Sequence, residues 1–432
     1  MDRLKWLYPG MRIKRWMFLA FAGAVCFGAG IILVTNKLHQ VLQGSPLETG
    51  LLLLAVGAFM VCLGTRNTLN SIIKALAPGR EEDVAGLIYR KHHLKRGPKV
   101  VVVGGGTGLS VLLRGLKKYT SNITAIVTVA DDGGSSGKLR GEFGILPPGD
   151  IRNCLVALAD KETLMEDLFQ HRFSNGYGLA GHSMGNLLLT AMTQVVGDFG
   201  TAVREMSKVL AVRGQVLPAT LKTCSLCAEL EDGSIIEGES KIPRTGKKIK
   251  RVFLKPGDCE PVPEAFLAIA DADLIILGPG SLYTSVIPNL LIRGMADAIA
   301  ASPAVTVYAC NIMTQPGETE GYTASEHIRA IHRHAGSGLI DYAIVNVQEI
   351  PRKLLRKYQR DGAVPVKADL RQIEEMRVRP VKKDLVYESD LVRHDPVKLA
   401  ESVMGLIGEL GLGQEKSLLQ GFFQVKQKVK GM

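Results

Sequence analysis

Three features that the sequence lacks exclude whole classes of protein. Its seven cysteines include one close pair, Cys224 and Cys227, but no second Cys pair or Cys/His pair stands at a distance that completes a zinc site. The net charge of +11 is accompanied by no signature of a nucleic-acid-binding module. The chain is neither repetitive nor disordered in composition, since 46% of its residues are hydrophobic. At 432 residues it is long enough for a membrane segment plus one large domain or two smaller ones.

Residues 16–35 contain no charge, and at about 1.5 Å per residue they span a hydrocarbon core of roughly 30 Å. A second, shorter uncharged run covers residues 49–65. A cleaved signal peptide is disfavoured because no small-residue cleavage site stands out and a second apolar run follows. Two buried core helices are disfavoured because tryptophan and tyrosine cluster at the first boundary, as in an aromatic belt. The sequence therefore predicts a transmembrane hairpin.

Basic residues set the predicted orientation of this hairpin. Its outer flanks are rich in lysine and arginine, whereas the loop between the two runs carries only Lys37. The positive-inside rule places both ends, and everything after residue 66, in the cytosol, where cysteines stay reduced and further basic segments are attracted to the anionic inner leaflet. The chain then divides into a cytosolic N-terminal segment (1–15), a transmembrane hairpin (16–65), a juxtamembrane linker (66–98), a main domain (99–410) and a basic tail (411–432).

The main domain opens with four valines, 100–103, followed by Gly104-Gly-Gly-Thr-Gly108 and by leucines at helical spacing. The valines predict a buried parallel strand, and the leucines a helix. Glycines let the backbone approach an anion, and the helix N-terminus supplies N–H donors and a positive dipole end. Counting from Gly104, the third glycine of the dinucleotide fingerprint G-x-G-x-x-G is replaced by Leu109. The turn predicts a phosphate site for a ligand other than a dinucleotide, with a purely structural turn as the alternative.

Three further predicted strands end in small and polar residues. The strand Ile123–Val129 is followed by Asp131 and Asp132 with neighbouring glycines and serines, which suits a divalent cation, ribose hydroxyls or an ordinary β-turn. The segments Ala270–Ser281 and Val305–Cys310 read as buried strands that also end in polar turns. Ligands of open α/β sheets bind outside the carboxyl ends of the strands. Four such strand ends predict one shared crevice.

Two small-residue turns precede predicted helices. In the segment 141–159, Asp150 is placed as a helix N-cap, and Arg152 and Asn153 then fall in the first turn, where they could contact a phosphate or a neighbouring loop. The segment Gly181–Gly185 matches the nucleophile elbow G-x-S-x-G only by letter, because no predicted strand precedes it.

The rest of the main domain contains three further segments with predicted structure. Short β-rich runs between residues 215 and 260 predict antiparallel strands added to the main sheet. The three histidines of the predicted helix 324–334 do not share one face, which predicts a solvated helix. Residues 396–410 are predicted to form an amphipathic helix, whereas residues 351–386 form a basic, mixed region.

The run of motifs resembles the YvcK family, the so-called gluconeogenesis factors, which is related to CofD-like 2-phospho-L-lactate transferases. The resemblance covers about residues 99–405 and is carried by Val103–Leu116, Ala130–Gly137, Gly144–Ala159, Gly278–Ser285 and Cys310–Thr319. It implies a Rossmann-like fold, which agrees with the α/β fold, mostly parallel sheet and antiparallel insertion predicted from the strand patterns. It also implies binding of UDP-glucose or UDP-N-acetylglucosamine and a role in cell shape and envelope synthesis on gluconeogenic carbon sources, without an established catalytic activity.

The resemblance also assigns roles to residues of the crevice. Gly105–Leu109 would meet the diphosphate, and Asp131 and Asp132 match the acidic pair that the transferase relatives use near metal and substrate, so they are the candidate Mg²⁺ ligands. Asn186 and Asn311–Gln315 would line the crevice. Together with the turns read from the sequence, the candidate binding residues are Gly104, Gly105, Gly106, Thr107, Gly108, Leu109, Asp131, Asp132, Gly133, Gly134, Ser135, Arg152, Asn153, Asn186, Gly278, Gly280, Ser281, Asn311, Met313, Thr314 and Gln315.

The sequence thus predicts a membrane-tethered, cytosol-facing nucleotide-sugar sensor that acts on an envelope-synthesis or metabolic protein. The hairpin departs from the soluble form associated with the family. The alternative is a CofD-like transferase that moves a phospholactyl or related group from an activated nucleotide with the help of Mg²⁺. NAD is the less favoured ligand, nucleic acid is not an expected partner, and a homo-oligomer is left open.

Overall fold

The computed structural model describes residues 13–38, 46–76, 93–160, 163–360, 362–388 and 392–412. The chain divides between His92 and His93 into two compact units. Most of the predicted N-terminal segment, much of the predicted linker and nearly all of the predicted basic tail lie outside the described residues.

The first unit contains helices α1 (Ile13–Leu38) and α2 (Pro46–Leu76). The spans Lys14–Thr35 and Glu48–Ser71 are each long and apolar enough to cross a membrane, judged by length and composition. Their most apolar windows are only 11% and 17% buried, so the described chain leaves most of this apolar surface uncovered. Helix α2 continues beyond the predicted hairpin into the predicted linker, since no proline interrupts it before residue 78.

Small residues hold the two helices close together. A Cβ atom on Gly57 would lie 2.5 Å from the backbone nitrogen of Phe27, and one on Gly64 would lie 2.6 Å from that of Ala20. In lipid there is little hydrophobic drive between helices, and association depends on this kind of close backbone packing. The pair is therefore packed as a membrane hairpin would be.

The strands of the second unit begin directly after the predicted linker. In the described residues they are β1 (Val100–Gly104), β2 (Ile123–Val127), β3 (Gln215–Pro218), β4 (Ser225–Leu230), β5 (Ile235–Glu237), β6 (Ile249–Lys255), β7 (Leu274–Leu277), β8 (Val305–Ala309), β9 (Tyr342–Asn346), β10 (Arg379–Lys383), β11 (Val386–Glu388) and β12 (Val392–His394).

Helices connect most of these strands. In the described residues they are α3 (Gly106–Leu116), α4 (Gly134–Phe143), α5 (Gly149–Leu158), α6 (Thr163–Gln170), α7 (Met184–Val196), α8 (Phe199–Val209), α9 (Pro263–Ala270), α10 (Ile287–Leu290), α11 (Met295–Ala301), α12 (Ala324–Ala335), α13 (Arg352–Arg360), α14 (Leu370–Glu375) and α15 (Pro396–Leu410). The amphipathic helix predicted at 396–410 is confirmed as α15.

The central sheet has seven strands in the order β10-β9-β8-β7-β1-β2-β3, and all of its pairings are parallel. Val100 of β1 pairs with Ile123 on one side and with Leu274 on the other. The side chains of β1 are buried on both faces, which explains the run of valines. Because chain order reverses between β1 and β7, the carboxyl ends of these two strands form the switch point at which α/β proteins bind ligands.

Three sequence predictions about this unit are corrected by the structure. Strands β4, β5 and β6 form a separate antiparallel sheet, called the insertion sheet below, instead of extending the main one. The first strand of the predicted range, β3, does join the main sheet, but it pairs in parallel with β2. The alternating residues Leu226, Ala228 and Leu230 of the insertion sheet are buried in the same apolar cluster as residues of β1 and β7, so one face of it joins the core. Helix α12 is not simply solvated, because His327 is fully buried. Part of the basic, mixed region forms the edge strand β10.

Candidate functional site

The turns after β1 and β7 pack against each other at the switch point. A Cβ atom on Gly108 would lie 2.8 Å from the carbonyl oxygen of Pro279, and one on Gly280 would lie 3.0 Å from that of Gly105. Gly106 has a φ of +68°, a conformation that favours glycine. The two turns are therefore packed backbone to backbone, with Gly105 buried and Gly106 and Gly108 partly exposed.

Helix α3 begins at Gly106, in the turn after β1, and its N-terminus is partly open. Its N-cap, Gly105, offers no side-chain hydrogen bond, and the next-but-one residue, Thr107, is exposed. The first turn of a helix has N–H groups without intrahelical acceptors and carries the positive end of the helix dipole. The N–H of Gly106 donates to Oδ2 of Asp150 at 2.8 Å. This first turn has the chemistry of an anion site, with one of its amides engaged by a carboxylate.

Asp150 was predicted as the N-cap of its own helix, and that prediction is wrong. The N-cap of α5 is Pro148, and Asp150 lies inside the first turn with its carboxylate directed at Gly106. Burial raises the pKa of Asp150 to about 6, and the charge of Asp131 adds to this effect. The hydrogen bond from Gly106 and the charge of Arg152 oppose the rise. The carboxyl group therefore titrates close to neutral pH.

The side chains of the acidic pair after β2 diverge. Oδ1 of Asp131 accepts the N–H of Gly133 at 2.9 Å within its own turn. Oδ1 of Asp132 accepts the N–H of Ser240 at 2.8 Å, which joins the β2 turn to the insertion sheet. Across the described ranges, no group of three or more His, Cys, Asp or Glu side chains is arranged to hold a metal ion. A cation at this pair would need further ligands, such as phosphate oxygens.

Two more carboxyl groups reach the crevice, and the sequence analysis missed both. Burial raises the pKa of Glu239, beside the insertion sheet, to about 8, and the charges of Asp131, Glu318 and Asp150 contribute. Glu318, in the loop after β8, is 5% exposed, and burial raises its pKa to about 7. It accepts the hydroxyl of Thr284 at 3.1 Å. Acidic groups from four segments of the chain therefore face one another here.

Arg152 contacts the neighbouring loop, one of the two roles open to it from sequence. Its guanidinium donates to Oγ of Ser183 and to Oδ1 of Asn153, the latter at 2.7 Å. Burial is the main reason that the pKa of Arg152 lies below its usual value. Ser183 also caps α7 by accepting the N–H of Asn186. The letter match to a nucleophile elbow is thus a helix cap.

The residues predicted on the loops after β2, β7 and β8 lie at the same edge of the sheet. Several of them form hydrogen bonds that connect neighbouring loops and helices. Nδ2 of Asn186 donates to Oγ of Ser135 at 3.1 Å. Nδ2 of Asn311 donates to the carbonyl oxygen of Gly280 at 2.9 Å, which ties the β7 and β8 loops together. The N–H of Thr314 donates to the carbonyl of residue 364, and Met313 forms a β-bridge with residue 365. The partly exposed residues in this set include Gly133, Gly280, Ser281 and Gln315.

Two cavities of about 500 Å³ each lie elsewhere, at the amino ends of the strands. One lies beside β1, β2 and β3, and the other beside β8, β9 and β10. The residues of the crevice line neither of them. Both cavities are therefore separate from the switch point.

The raised pKa of Glu318 predicts how stability depends on pH. A carboxyl group whose pKa is higher in the folded chain stabilises the fold below its unfolded pKa, and this contribution is lost as pH rises through about 7. The rise of the Glu318 pKa from 4.5 to about 7 means that the ionised carboxylate destabilises the folded chain by about 3 kcal/mol. Glutamine has one oxygen fewer and would lose the hydrogen bond from either Thr284 or Tyr283, which costs about 1 kcal/mol. Glu318→Gln is therefore expected to raise the free energy of unfolding by about 2 kcal/mol at pH 8.

Denaturant titrations at pH 5 and pH 8 check this prediction, with the exposed Glu409→Gln as the matched control. The gain should be absent at pH 5, where the carboxyl is protonated in the folded chain, and absent from the control at both values. An equal effect of Glu318→Gln at both pH values would contradict the prediction.

The parallel sheet, its switch point and the two glycine turns define an α/β domain with a Rossmann-like fold. Residues 100–386 match the family model of the 2-phospho-L-lactate transferase CofD, and the chain belongs to this family. The resemblance predicted from the motifs is confirmed by curated relatives that carry the name gluconeogenesis factor.

The relatives form two groups that differ in length. A putative gluconeogenesis factor of Nostoc sp. is 49% identical over 94% of this chain and 92% of its own length. The gluconeogenesis factor of Bacillus subtilis is 55% identical, but its match covers 72% of this chain and 99% of its own length. A crystal structure of a UPF0052 family protein from Bacillus halodurans is 55% identical, with a TM-score of 0.69, and covers 71% of this chain and 99% of the solved one. The longer match exceeds the length of the second unit and so reaches into the first, whereas the shorter match, over 313 residues, is shorter than the second unit itself.

Proposed function

We propose that this protein is a membrane-tethered, cytosol-facing regulator that binds a nucleotide sugar, UDP-glucose or UDP-N-acetylglucosamine, in the crevice at the switch point. It would adjust cell shape and envelope synthesis to the supply of this nucleotide sugar during growth on gluconeogenic carbon sources. The names of its relatives support the metabolic setting, and the two long apolar helices of the first unit support the tether.

The observation that carries the proposal is the partly exposed first turn of α3, whose N-cap residue has no side chain and which lies beside the turn after β7. Thr107 is exposed and Gly106 and Gly108 are partly exposed, so a diphosphate can approach the backbone amides of this first turn. The dinucleotide fingerprint is incomplete at Leu109, which favours a nucleotide sugar over NAD. The polar loops on either side offer donors and acceptors for ribose and sugar hydroxyls.

The charge of the crevice indicates what must accompany the ligand. A diphosphate that enters beside Asp131, Asp150 and Glu318 meets like charges in a partly buried setting, where repulsion is strong. Mg²⁺ bound between the diphosphate and one or two carboxylates would remove that repulsion, since Mg²⁺ is commonly held this way. Asp131 and Asp132 are the proposed protein ligands.

A bound ligand can change the state of the protein through Asp132. This carboxylate accepts the N–H of Ser240 and so links the crevice to the insertion sheet. A cation or ligand that competes for Asp132 weakens this link and shifts the insertion sheet between two positions, as a sensor requires. A partner protein of envelope synthesis or metabolism would read that difference.

Calorimetry of the fragment that begins at residue 93 tests the proposal. We expect UDP-glucose or UDP-N-acetylglucosamine with Mg²⁺ to bind at least about ten-fold more tightly than NAD, a difference of about 1.4 kcal/mol. Omitting Mg²⁺ should weaken binding. If neither UDP-sugar bound at millimolar concentration, the proposal would be abandoned.

A CofD-like transferase is the second candidate, and one observation favours it. Glu239 and Glu318 have pKa values raised to about 8 and about 7, the range that suits a general base for an alcohol nucleophile. The sequence alone had offered no such group beside the acidic pair. Incubating the protein with an activated nucleotide, Mg²⁺ and an alcohol acceptor decides between the candidates, because a transferase releases free nucleotide with every turnover and a sensor releases none.

A further inference from the structure

The cavity beside β8, β9 and β10 lies at the opposite edge of the sheet from the crevice. Its volume of about 500 Å³ is enough for a small metabolite. The ends of α11 and α14 and the starts of β9 and β10 surround it, and its lining includes Ser302, Thr306, Asp341, Tyr342, Arg377 and Arg379. Neither the proposed ligand site nor the packing of the core uses this space.

Arg377 occupies a backbone position that favours glycine. It follows the C-cap of α14 with a φ of +63°, in the left-handed region. Its N–H donates to the carbonyl oxygen of Glu374, which closes the last turn. Helices very often end this way with glycine, because a Cβ atom in this conformation costs free energy. Arg377 thus holds a conformation that glycine adopts more easily, at a position that lines the cavity.

The second arginine, Arg379, is held in a defined orientation. Its guanidinium lies 5.6 Å from the ring centroid of Tyr342, and Nη1 donates to the hydroxyl of Tyr342 at 2.9 Å. Stacking and hydrogen bonding of this kind fix a guanidinium before any ligand arrives, which lowers the entropic cost of binding.

The acidic group of the cavity does not cancel both arginines. Oδ2 of Asp341 accepts the N–H of Thr306 at 2.8 Å, so this carboxylate is committed to joining β8 and β9. The carboxyl ends of α11 and α14 add negative dipole ends at this edge. Arg379 alone would offset these dipole ends, and a glycine at position 377 would leave Arg379 in place. The fold therefore does not need a second arginine at position 377.

We propose that this cavity is a second ligand site, in which Arg377 and Arg379 bind the phosphoryl group of a small soluble molecule. Guanidinium groups match phosphate oxygens with paired hydrogen bonds, and Thr306 and Ser302 line the space for the uncharged part of the ligand. Since β7, β8 and β9 run from this cavity to the crevice, an occupant would act on the switch point from the opposite edge.

Arginine footprinting of the full-length chain in detergent micelles tests the proposal site by site. The protein is treated with phenylglyoxal, with and without inorganic phosphate, and modified peptides are quantified by mass spectrometry. We expect saturating phosphate to slow the modification of Arg377 and Arg379 about five-fold or more. Arg371, an exposed arginine of α14 paired with Glu375, is the internal control and should react at an unchanged rate. Unchanged rates at Arg377 and Arg379, or equal slowing at Arg371, would overturn the proposal.

A substitution at the strained position separates a binding role from a structural one. Arg377→Gly should raise the melting temperature by about 2 °C in phosphate-free buffer, because it relieves the left-handed conformation. The same change should abolish the protection of Arg379 by phosphate while leaving UDP-sugar binding unchanged. Protection of Arg379 that persisted in this variant would show that Arg377 has no part in binding. Failure of UDP-sugars to bind would count against the proposed function only.

Discussion

Replacing Gly115 by alanine is expected to destabilise the second unit by about 2 kcal/mol or more, although alanine is the better helix former. Gly115 lies near the end of α3, where this helix crosses the start of α15. A Cβ atom there would lie 2.0 Å from the carbonyl oxygen of Pro396 and 2.7 Å from Cβ of Ala400. The obstacle is backbone, so no side-chain rotation relieves it and one helix must move. Chemical denaturation of the fragment that begins at residue 93 measures the loss.

Gly141→Ala is the matched control for this change. Gly141 lies in α4, is exposed and has nothing within 4 Å of an added Cβ. The same substitution should therefore stabilise the protein there, by up to about 1 kcal/mol, through helix propensity alone. Opposite signs at the two glycines would establish that α3 and α15 pack backbone to backbone. A Gly115→Ala variant as stable as Gly141→Ala would contradict that packing.

The central sheet was predictable wherever strands are buried on both faces. The valines 100–103 and the strands that begin near Ile123, Ala272 and Val305 consist mainly of apolar and β-branched residues, a pattern typical of buried parallel strands. β10 was missed because it lies at the sheet edge, where charged residues and Pro380 are tolerated and the apolar pattern is lost. The insertion sheet was recognised as antiparallel, but its separation from the main sheet depends on contacts far apart in sequence.

The candidate site was predictable only as far as local patterns reach. The glycine turns at residues 104–108 and 278–280 have compositions that short segments reveal. Asp150 was recognised as a residue at a helix start, yet its partner Gly106 lies 44 positions away, so its contact was invisible. Glu239 belongs to a loop without a motif and Glu318 to the motif Cys310–Thr319, but only the fold shows that burial and neighbouring charges act on them. Long-range contacts decide which carboxyl groups titrate near neutral pH.

The largest functional effect is expected from a negative charge at the start of α3. Thr107→Glu should weaken the binding of UDP-sugars at least about 100-fold, because its carboxylate would lie where the diphosphate is proposed to bind. Two unit charges about 4 Å apart at a protein surface repel by about 4 kcal/mol, which exceeds the roughly 2.7 kcal/mol that a 100-fold loss requires. Calorimetry with UDP-N-acetylglucosamine in low-salt buffer measures the loss.

The fold should tolerate this change, which makes the result specific to the ligand. Thr107 is exposed, and an acidic residue in the first turn of a helix complements the dipole by about 0.3 to 1 kcal/mol. Thr107→Gln has the same shape without the charge and should cost no more than a few-fold in affinity. The gap between the two variants should narrow as salt rises, since screening weakens the repulsion. Equal affinities of the Glu and Gln variants would place the diphosphate elsewhere in the crevice, away from the glycine turn after β1.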